Sequence, residues 1–500
     1  MMRTKLCKAA LAAGALLAFA GCGTRPAAVE QVVADGVNAA VSPDGRLLAF
    51  QRFSDGRSHL AVRDLARGTE SWIEDGAHSA LHPVWSPDGA LYYSYCATTA
   101  TAYQKWIKPA TDKGKGWNIR RWKDGVVTDV TAGGARDFSP CVSPDGRQVY
   151  FCTTRGVNDP KSLFSMSQNL AVTRADGGEV KTYLLAQRNC NAGYSQPDVS
   201  PDGRFIVWAQ IDSFYDGWRL YVARVDAPKR SVALLPPDVV AYAPRWSPDG
   251  RLVAFAGYRE GDPGWCVYLT DVRSGAWTRV CRGENPSFFP DGKAVVYDRE
   301  GRIFRRTLSA ADVPSAGALA PSGCAAERLL WRADAPKAND RPSFPKALAF
   351  GDDEAVFVRV KLHWADSGEK LQRFFAGAYG DTVTREQALQ VYRDPKGLPT
   401  FATRTGADVF TCVQLREPLA KEGDYTFTAV RAGGELFLSM NDGWPARQTL
   451  SEGMITLGKP LYAILGRDAG SSATAIRSVE VGTGWPKNVP CALSRKEVFE

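Results

Sequence analysis

The sequence predicts an all-β chain whose first three hundred residues form a six-bladed β-propeller. The first observation is a repeated triplet, Pro-Asp-Gly, at Pro43-Asp44-Gly45, Pro87-Asp88-Gly89, Pro144-Asp145-Gly146, Pro201-Asp202-Gly203, Pro248-Asp249-Gly250 and Pro290-Asp291-Gly292. The second is its spacing. Successive Asp residues stand 44, 57, 57, 47 and 42 positions apart, room for four short strands and a variable loop per copy, which suits one propeller blade. The third is composition: 47 Gly and 30 Pro spread along 500 residues, with Val, Thr, Tyr and Trp in short runs, leave few helical periodicities.

Each copy reads as strand, turn, strand. Ser precedes Pro in five copies and Phe289 in the sixth. Ser suits the first position of a type I turn, Pro fixes φ at the second, and Gly accepts the left-handed conformation at the fourth. Such a turn with a Gly bulge closes a hairpin. The residue two before Pro is apolar or aromatic (Val41, Trp85, Val142, Val199, Trp246, Phe288), and runs such as Phe205 to Trp208 and Leu252 to Phe255 follow the turn. The stretch Arg245 to Phe255 resembles the WD40-like repeats of TolB-type propellers. The resemblance covers about residues 30 to 330 and implies the propeller fold. TolB proteins carry an α/β domain ahead of the propeller, and this sequence is expected to lack one.

Ahead of the first blade, residues 1–21 read as a lipoprotein signal peptide: Arg3, Lys5 and Lys8 are basic, Ala9 to Ala20 is apolar, and Phe19-Ala20-Gly21-Cys22 closes it. The apolar run is too short to span a bilayer. This ending resembles the bacterial lipobox, which implies Cys22 as the site of lipid attachment. Gly23 after it resembles lipoproteins sorted to an outer membrane. Residues 22–30 are then a short tether, and 31–335 the propeller. Val29 to Val33 is expected to complete the last blade, with Arg328 to Trp331 as the alternative closing strand.

Eleven Cys, less Cys7 and Cys22, leave an odd number in an oxidising compartment, so one thiol at least is expected to stay unpaired. Hairpin symmetry suggests two disulfides, Cys141 with Cys152 and Cys266 with Cys281; buried free thiols on adjacent strands are the other reading. No C-x-x-C occurs, which removes zinc-ribbon and thioredoxin readings. The insert Tyr103 to Lys123 is basic and carries Trp106, Trp117 and Trp122; it reads either as a surface for anions or as a long hairpin with a solvated face.

From about Asn339 the triplet stops and strands of another spacing begin, among them Val356 to Leu362, Tyr425 to Val430, Glu435 to Met440 and Ala475 to Val481. The hairpin Tyr425 to Gly443, ending in Asn441-Asp442-Gly443, resembles the laminin-G or concanavalin-like fold. That resemblance covers roughly 340–485 and implies a jelly-roll β-sandwich able to hold sugar or protein, with 486–500 as a tail. Trp364, Trp444 and Trp485 could stack on sugar rings, although Trp in a sandwich is more often core; Trp444 beside the turn, with Asn441 and Asp442, is the candidate ligand-binding group. Asp442 and Asp468 are candidates for calcium only as turn residues, and Asp in a turn usually bonds its own backbone.

The familiar catalytic motifs are missing from the sequence. No G-x-S-x-G occurs, and the histidines are His59, His78, His82 and His363, too dispersed for a propeller lyase metal site. No cofactor is expected, and the formal charge of +8 points to no nucleic acid. The expected function is a membrane-anchored envelope lipoprotein of the outer membrane, facing the periplasm, a non-catalytic binding or scaffold module for an envelope protein or glycan. The alternative is a carbohydrate-active enzyme, a polysaccharide lyase or glycosidase. Convergent carboxylates with shifted pKa values favour the enzyme, and an exposed aromatic surface the binder.

Overall fold

The Pro-Asp-Gly turns close on their own side chains. In the first, the Gly45 N–H donates to the Ser42 carbonyl (2.8 Å). The Ser42 hydroxyl donates to Asp44 Oδ1 (2.6 Å), which also accepts the Arg46 N–H (3.0 Å). The same set recurs at Ser143 and Asp145, Ser200 and Asp202, and Ser247 and Asp249. At the sixth turn Phe289 has no hydroxyl, and Asp291 accepts the Lys293 N–H (2.9 Å). All six glycines have φ between 69° and 76°, where a side chain is strained. The turn thus accounts for each Asp.

The computed structural model describes residues 30–334 and 355–500, apart from 55–56, 74–78, 97–116, 134, 157–167, 187–192, 212–216, 237, 316–323, 366–371, 379–386, 405–409, 433, 450–461 and 465–474. Among the described residues, six four-stranded antiparallel sheets follow one another along the chain. Each shares an apolar layer with the next. Leu60 and Val62 meet Leu91 and Tyr93; Tyr92 and Ile119 meet Val149 and Phe151; Tyr150 and Leu170 meet Ile206 and Trp208. Val207 and Val222 meet Val253 and Phe255, and Leu269 meets Val295 and Tyr297. Finally Phe50 and Ala61 of the first sheet meet Val296 and Ile303 of the sixth, so the sheets return on themselves as a β-propeller.

The strand Glu30–Asp35 lies outermost in the sixth sheet, antiparallel to Arg302–Thr307. Its Glu30 accepts the Tyr297 hydroxyl and the Arg299 guanidinium (2.6 Å from the latter). Gly36 then turns the chain into the first sheet, and a Cβ there would lie 2.6 Å from the Gln51 carbonyl oxygen. Ring closure therefore uses the chain's first described strand.

In every innermost strand one residue takes φ near +50°: Asn38, His82, Ser139, Gln196, Ala243 and Asn285. The ladder slips at each, a β-bulge repeated six times. Neighbouring sheets satisfy the exposed N–H groups. Asp298 Oδ1 accepts the Asn38 N–H (2.8 Å), Gln51 Oε1 that of His82 (2.9 Å), Ser94 Oγ that of Ser139 (3.0 Å) and Gln196 Oε1 that of Ala243 (2.9 Å). These bonds fix the rotation of four of the six sheets against the sheet before them.

The second domain stacks a six-stranded on a five-stranded sheet. Val358, Val360, Trp364 and Phe427 of one pack on Phe374, Leu389, Val391, Phe401 and Val413 of the other. Its boundary corrects the sequence reading. Arg328–Asp334, placed with the propeller up to residue 335, is an edge strand of the six-stranded sheet and pairs with Ala475–Thr483. The propeller has no need of it, because Glu30–Asp35 already fills the sixth sheet. A chain starting at Gly36 is expected to melt roughly 5–10 °C lower than the chain with residues 30–35 by calorimetry, since the sixth sheet loses its outer strand; an unchanged transition counts against this closure.

Candidate functional site

The C-terminal residues, expected as a tail, strap the two domains together. Arg495, buried, donates to the carbonyls of Val272 and Leu234, both at 2.6 Å. Burial draws its guanidinium down to about 10. Beyond it the short helix Lys496–Phe499 places Val498 and Phe499 among Phe205, Val239 and Phe255 of the propeller. On the other side Cys491 forms a disulfide with Cys324, and Trp485 packs on Phe437 with ring centroids 5.0 Å apart. A second joint is buried beside the strap: the Tyr221 hydroxyl donates to Glu435 Oε1 (2.8 Å), and Arg447 reaches the carbonyls of Ser231 and Ala492. Charges buried in this way hold only while paired, so the joint specifies one domain arrangement.

Beside that joint the domains enclose a cleft of about 660 Å³, within the roughly 300–1,000 Å³ typical of small-ligand sites. The propeller contributes Tyr183, Leu185 and Lys229; the sandwich contributes Arg416, Met440 and Trp444. Trp444 is half-buried, and its indole N–H meets no acceptor. Asn441 and Asp442 do not line the cleft. They form the hairpin turn itself, at φ 53° and 57°, and Asn441 Oδ1 is spent on the Thr426 N–H (2.9 Å). Trp364, with its N–H on the Ala420 carbonyl (2.9 Å), and Trp485 are core.

The two hairpin disulfides do not form: Cys141, Cys152, Cys266 and Cys281 are free thiols. Cys266 pairs with Arg282 and Cys281 with Val267, a one-residue offset that sends the side chains to opposite faces. The bulge at Ser139 sets Cys141 opposite Tyr150 and Cys152 opposite Phe138. Cys141 bridges sheets instead, its Sγ 3.6 Å from Asp198 Oδ1 and accepting the Val199 N–H (3.3 Å). Burial, then the Asp198 charge, pushes this thiol up, so it stays protonated. Cys22 and Asp468 lie outside the described residues, as does the basic insert before Trp117. Of its described part, Arg120 pairs with Asp129 (2.7 Å), and Arg121 and Lys123 with Asp88 (3.2 and 2.7 Å), a solvated face.

A second polar cluster lies on the inner two strands of the sheets around the propeller axis. Glu284 and Asp298 face each other across a ladder. Asp298 Oδ1 accepts the Asn38 N–H and the Asn285 amide (2.9 Å), and Glu284 accepts the Tyr242 hydroxyl. Burial, with the charge of Glu284, pushes Asp298 up to about 6, against the pull of its two donors. His82 is drawn down to about 4 by burial and by Arg245. Among the described residues no His, Cys, Asp or Glu triplet is placed to hold a metal. The bulges were missed in the sequence, although a signal was present: Pro83, Pro140, Pro197, Pro244 and Pro286 each stand four residues before the turn Pro and directly after the left-handed residue.

No family model matches the chain. It is 31% identical over 116 residues to a protein TolB homolog of Chlorobium chlorochromatii, covering 23% of each chain. It is 27% identical over 176 residues to an uncharacterized protein of Agrobacterium fabrum, covering 35% of this chain and 50% of that one. The chain thus spans half or less of these curated relatives. Among solved structures, TolB from Acinetobacter baumannii matches at 16% identity and TM-score 0.39, over 55% of this chain and 63% of that one. Trypanosoma rangeli sialidase matches at 10% and 0.37, over 95% and 98%.

Two outcomes follow from this geometry. Cys491→Ser is expected to lower stability by about 2–4 kcal/mol in denaturant unfolding, because the disulfide closes a long loop and holds the strap; no change contradicts the joint. Asp298 has a folded pKa raised above its unfolded value, so its contribution is full below pH ~4 and lost as pH rises through ~6. Asp298→Asn keeps the acceptor oxygen and is expected to gain stability over wild type across that window, by roughly 2–3 kcal/mol in pH-dependent urea unfolding; parallel profiles for the two proteins contradict the assignment.

Proposed function

We propose that the chain is a cell-envelope lipoprotein: a six-bladed TolB-type propeller with a laminin-G-like jelly-roll, anchored through Cys22 in the outer membrane and facing the periplasm. It acts as a non-catalytic binding module for an envelope protein or glycan. The observation that carries this reading is the cleft, which neither domain builds alone and which the half-buried ring of Trp444 lines beside Tyr183, Lys229 and Arg416. A tether from Cys22 to Glu30, at roughly 3.5 Å per residue, keeps the propeller within about 30 Å of the membrane.

The second reading, a carbohydrate-active enzyme, is favoured by the Glu284–Asp298 pair with its shifted acid. Against it, both carboxylates already accept hydrogen bonds from neighbouring strands that hold the ring together. The test uses the full chain as bait in envelope extract. Wild type is expected to retain a discrete protein or polysaccharide, Trp444→Ala to lose most of it, and the polysaccharide to keep its length. Shortening of the polysaccharide by wild type but not by Asp298→Asn would move the assignment to the enzyme. Mass analysis of the N-terminal peptide is expected to show diacylglyceryl on Cys22, absent from Cys22→Ser; an unmodified Cys22 removes the anchor.

A further inference from the structure

Four sheet edges meet at the cleft. Lys181–Leu184 and Ser231–Ala233 are outermost in the third and fourth propeller sheets, and Phe410–Gln414 and Ala446–Thr449 are outermost in the two sandwich sheets. An open edge offers unpaired N–H and C=O groups to any extended chain. Three of these edges are closed. The carbonyl of Ser231 and that of Leu234 just beyond it are capped by Arg447 and Arg495, and the two sandwich edges pack on each other. Lys181–Leu184 is different. Lys181 and Thr182 are exposed, Tyr183 is half-buried and Leu185 beyond them is 43% exposed; among the described residues no group outside the third sheet bonds to the main chain of Lys181–Leu184, and the first carbonyl so engaged is that of Leu185, by the Tyr194 hydroxyl (3.1 Å).

The charges of the cleft are uneven. Lys229 on the propeller wall and Arg416 on the sandwich wall make no ion pair among the described residues, whereas most cations nearby do; Glu417 is the sole carboxylate in the lining. Of the rings at the cleft, Trp208 and Tyr194 are buried in the core, which leaves only Tyr183 and Trp444, both half-buried. Main-chain groups repeating along an edge and cations on both walls suit a peptide better.

We propose that the cleft takes an extended acidic peptide segment, which adds as a fifth strand beside Lys181–Leu184 and sets its carboxylates against Lys229 and Arg416. This rests on the cleft being the binding site. Main-chain bonds supply affinity in such strand addition, and alternate side chains supply selectivity.

The test is hydrogen exchange on the intact chain with model peptides: alternating Val and Asp, alternating Val and Lys, and the Val/Asp peptide with every second amide N-methylated. The Val/Asp peptide is expected to slow exchange over residues 181–185, and the other two to leave it unchanged. The Lys229→Glu, Arg416→Glu double variant alters exposed side chains only and is expected to weaken that peptide about tenfold. Equal protection by the Val/Lys peptide overturns the charge assignment, and equal protection by the methylated peptide overturns strand addition. Protection of residues 410–417 and 444–449 by an acidic oligosaccharide, with none by any peptide, ends the peptide proposal but keeps the cleft. Binding of a probe with no protection around the cleft ends both.

Discussion

The sixth sheet of the ring draws only three strands from the chain's consecutive order, and the strand Glu30–Asp35 supplies its fourth. Much of the remaining architecture depends on that pairing. Because the last sheet is completed from the N-terminal side, the chain leaving it at Thr307 is not needed for closure. The strand Arg328–Asp334 is released to begin the sandwich. Because the ring is closed, the bulge of the first sheet has the Asp298 carboxylate of the sixth within 2.8 Å, as the bulges at His82, Ser139 and Ala243 each have an acceptor on the preceding sheet. The tension of that junction is a buried carboxylate held at about 6. The acid is retained at some cost to stability because it satisfies a backbone donor that no side chain of its own sheet reaches.

The sandwich is then fixed to a rigid support. Its contacts with the propeller are few but buried and polar: Arg495 and Arg447 on backbone carbonyls, Glu435 on Tyr221. Apolar packing of Val498 and Phe499 adds non-directional attraction, whereas the guanidinium bonds permit one register. The disulfide between Cys324 and Cys491 ties the end of the strap to the start of the domain it crosses. A cleft between two domains keeps its shape only under such conditions, and its unequal walls follow from it.

Much of the propeller was legible because its information is local. Pro, Asp and Gly act within four residues, so the six turns and their following strands can be read from the text. The bulges were local too, but their signal is a Pro that ordinarily argues against a central strand; only the left-handed residue before it explains the exception. The candidate site was legible in one residue, Trp444. Asn441 and Asp442 were drawn in by adjacency, and the structure separates them because the turn consumes them. Lys229, Arg416 and Tyr183 come from segments far apart in the chain, with no shared pattern. The disulfides failed for the same reason in reverse. Symmetry about a turn ignores a bulge, and a one-residue slip exchanges faces, while the pair that does form, Cys324 and Cys491, is separated by 167 residues and has no local mark.

The buried joint requires propeller, sandwich and C-terminal strap to behave as one body around the cleft. Differential scanning calorimetry of the intact oxidised chain tests it most directly. A single transition whose calorimetric enthalpy equals its van't Hoff enthalpy is the predicted result, since the buried joint couples the unfolding of both domains. Two separate transitions, each matching the enthalpy of one domain, would contradict it and leave the cleft as a chance gap between independent units.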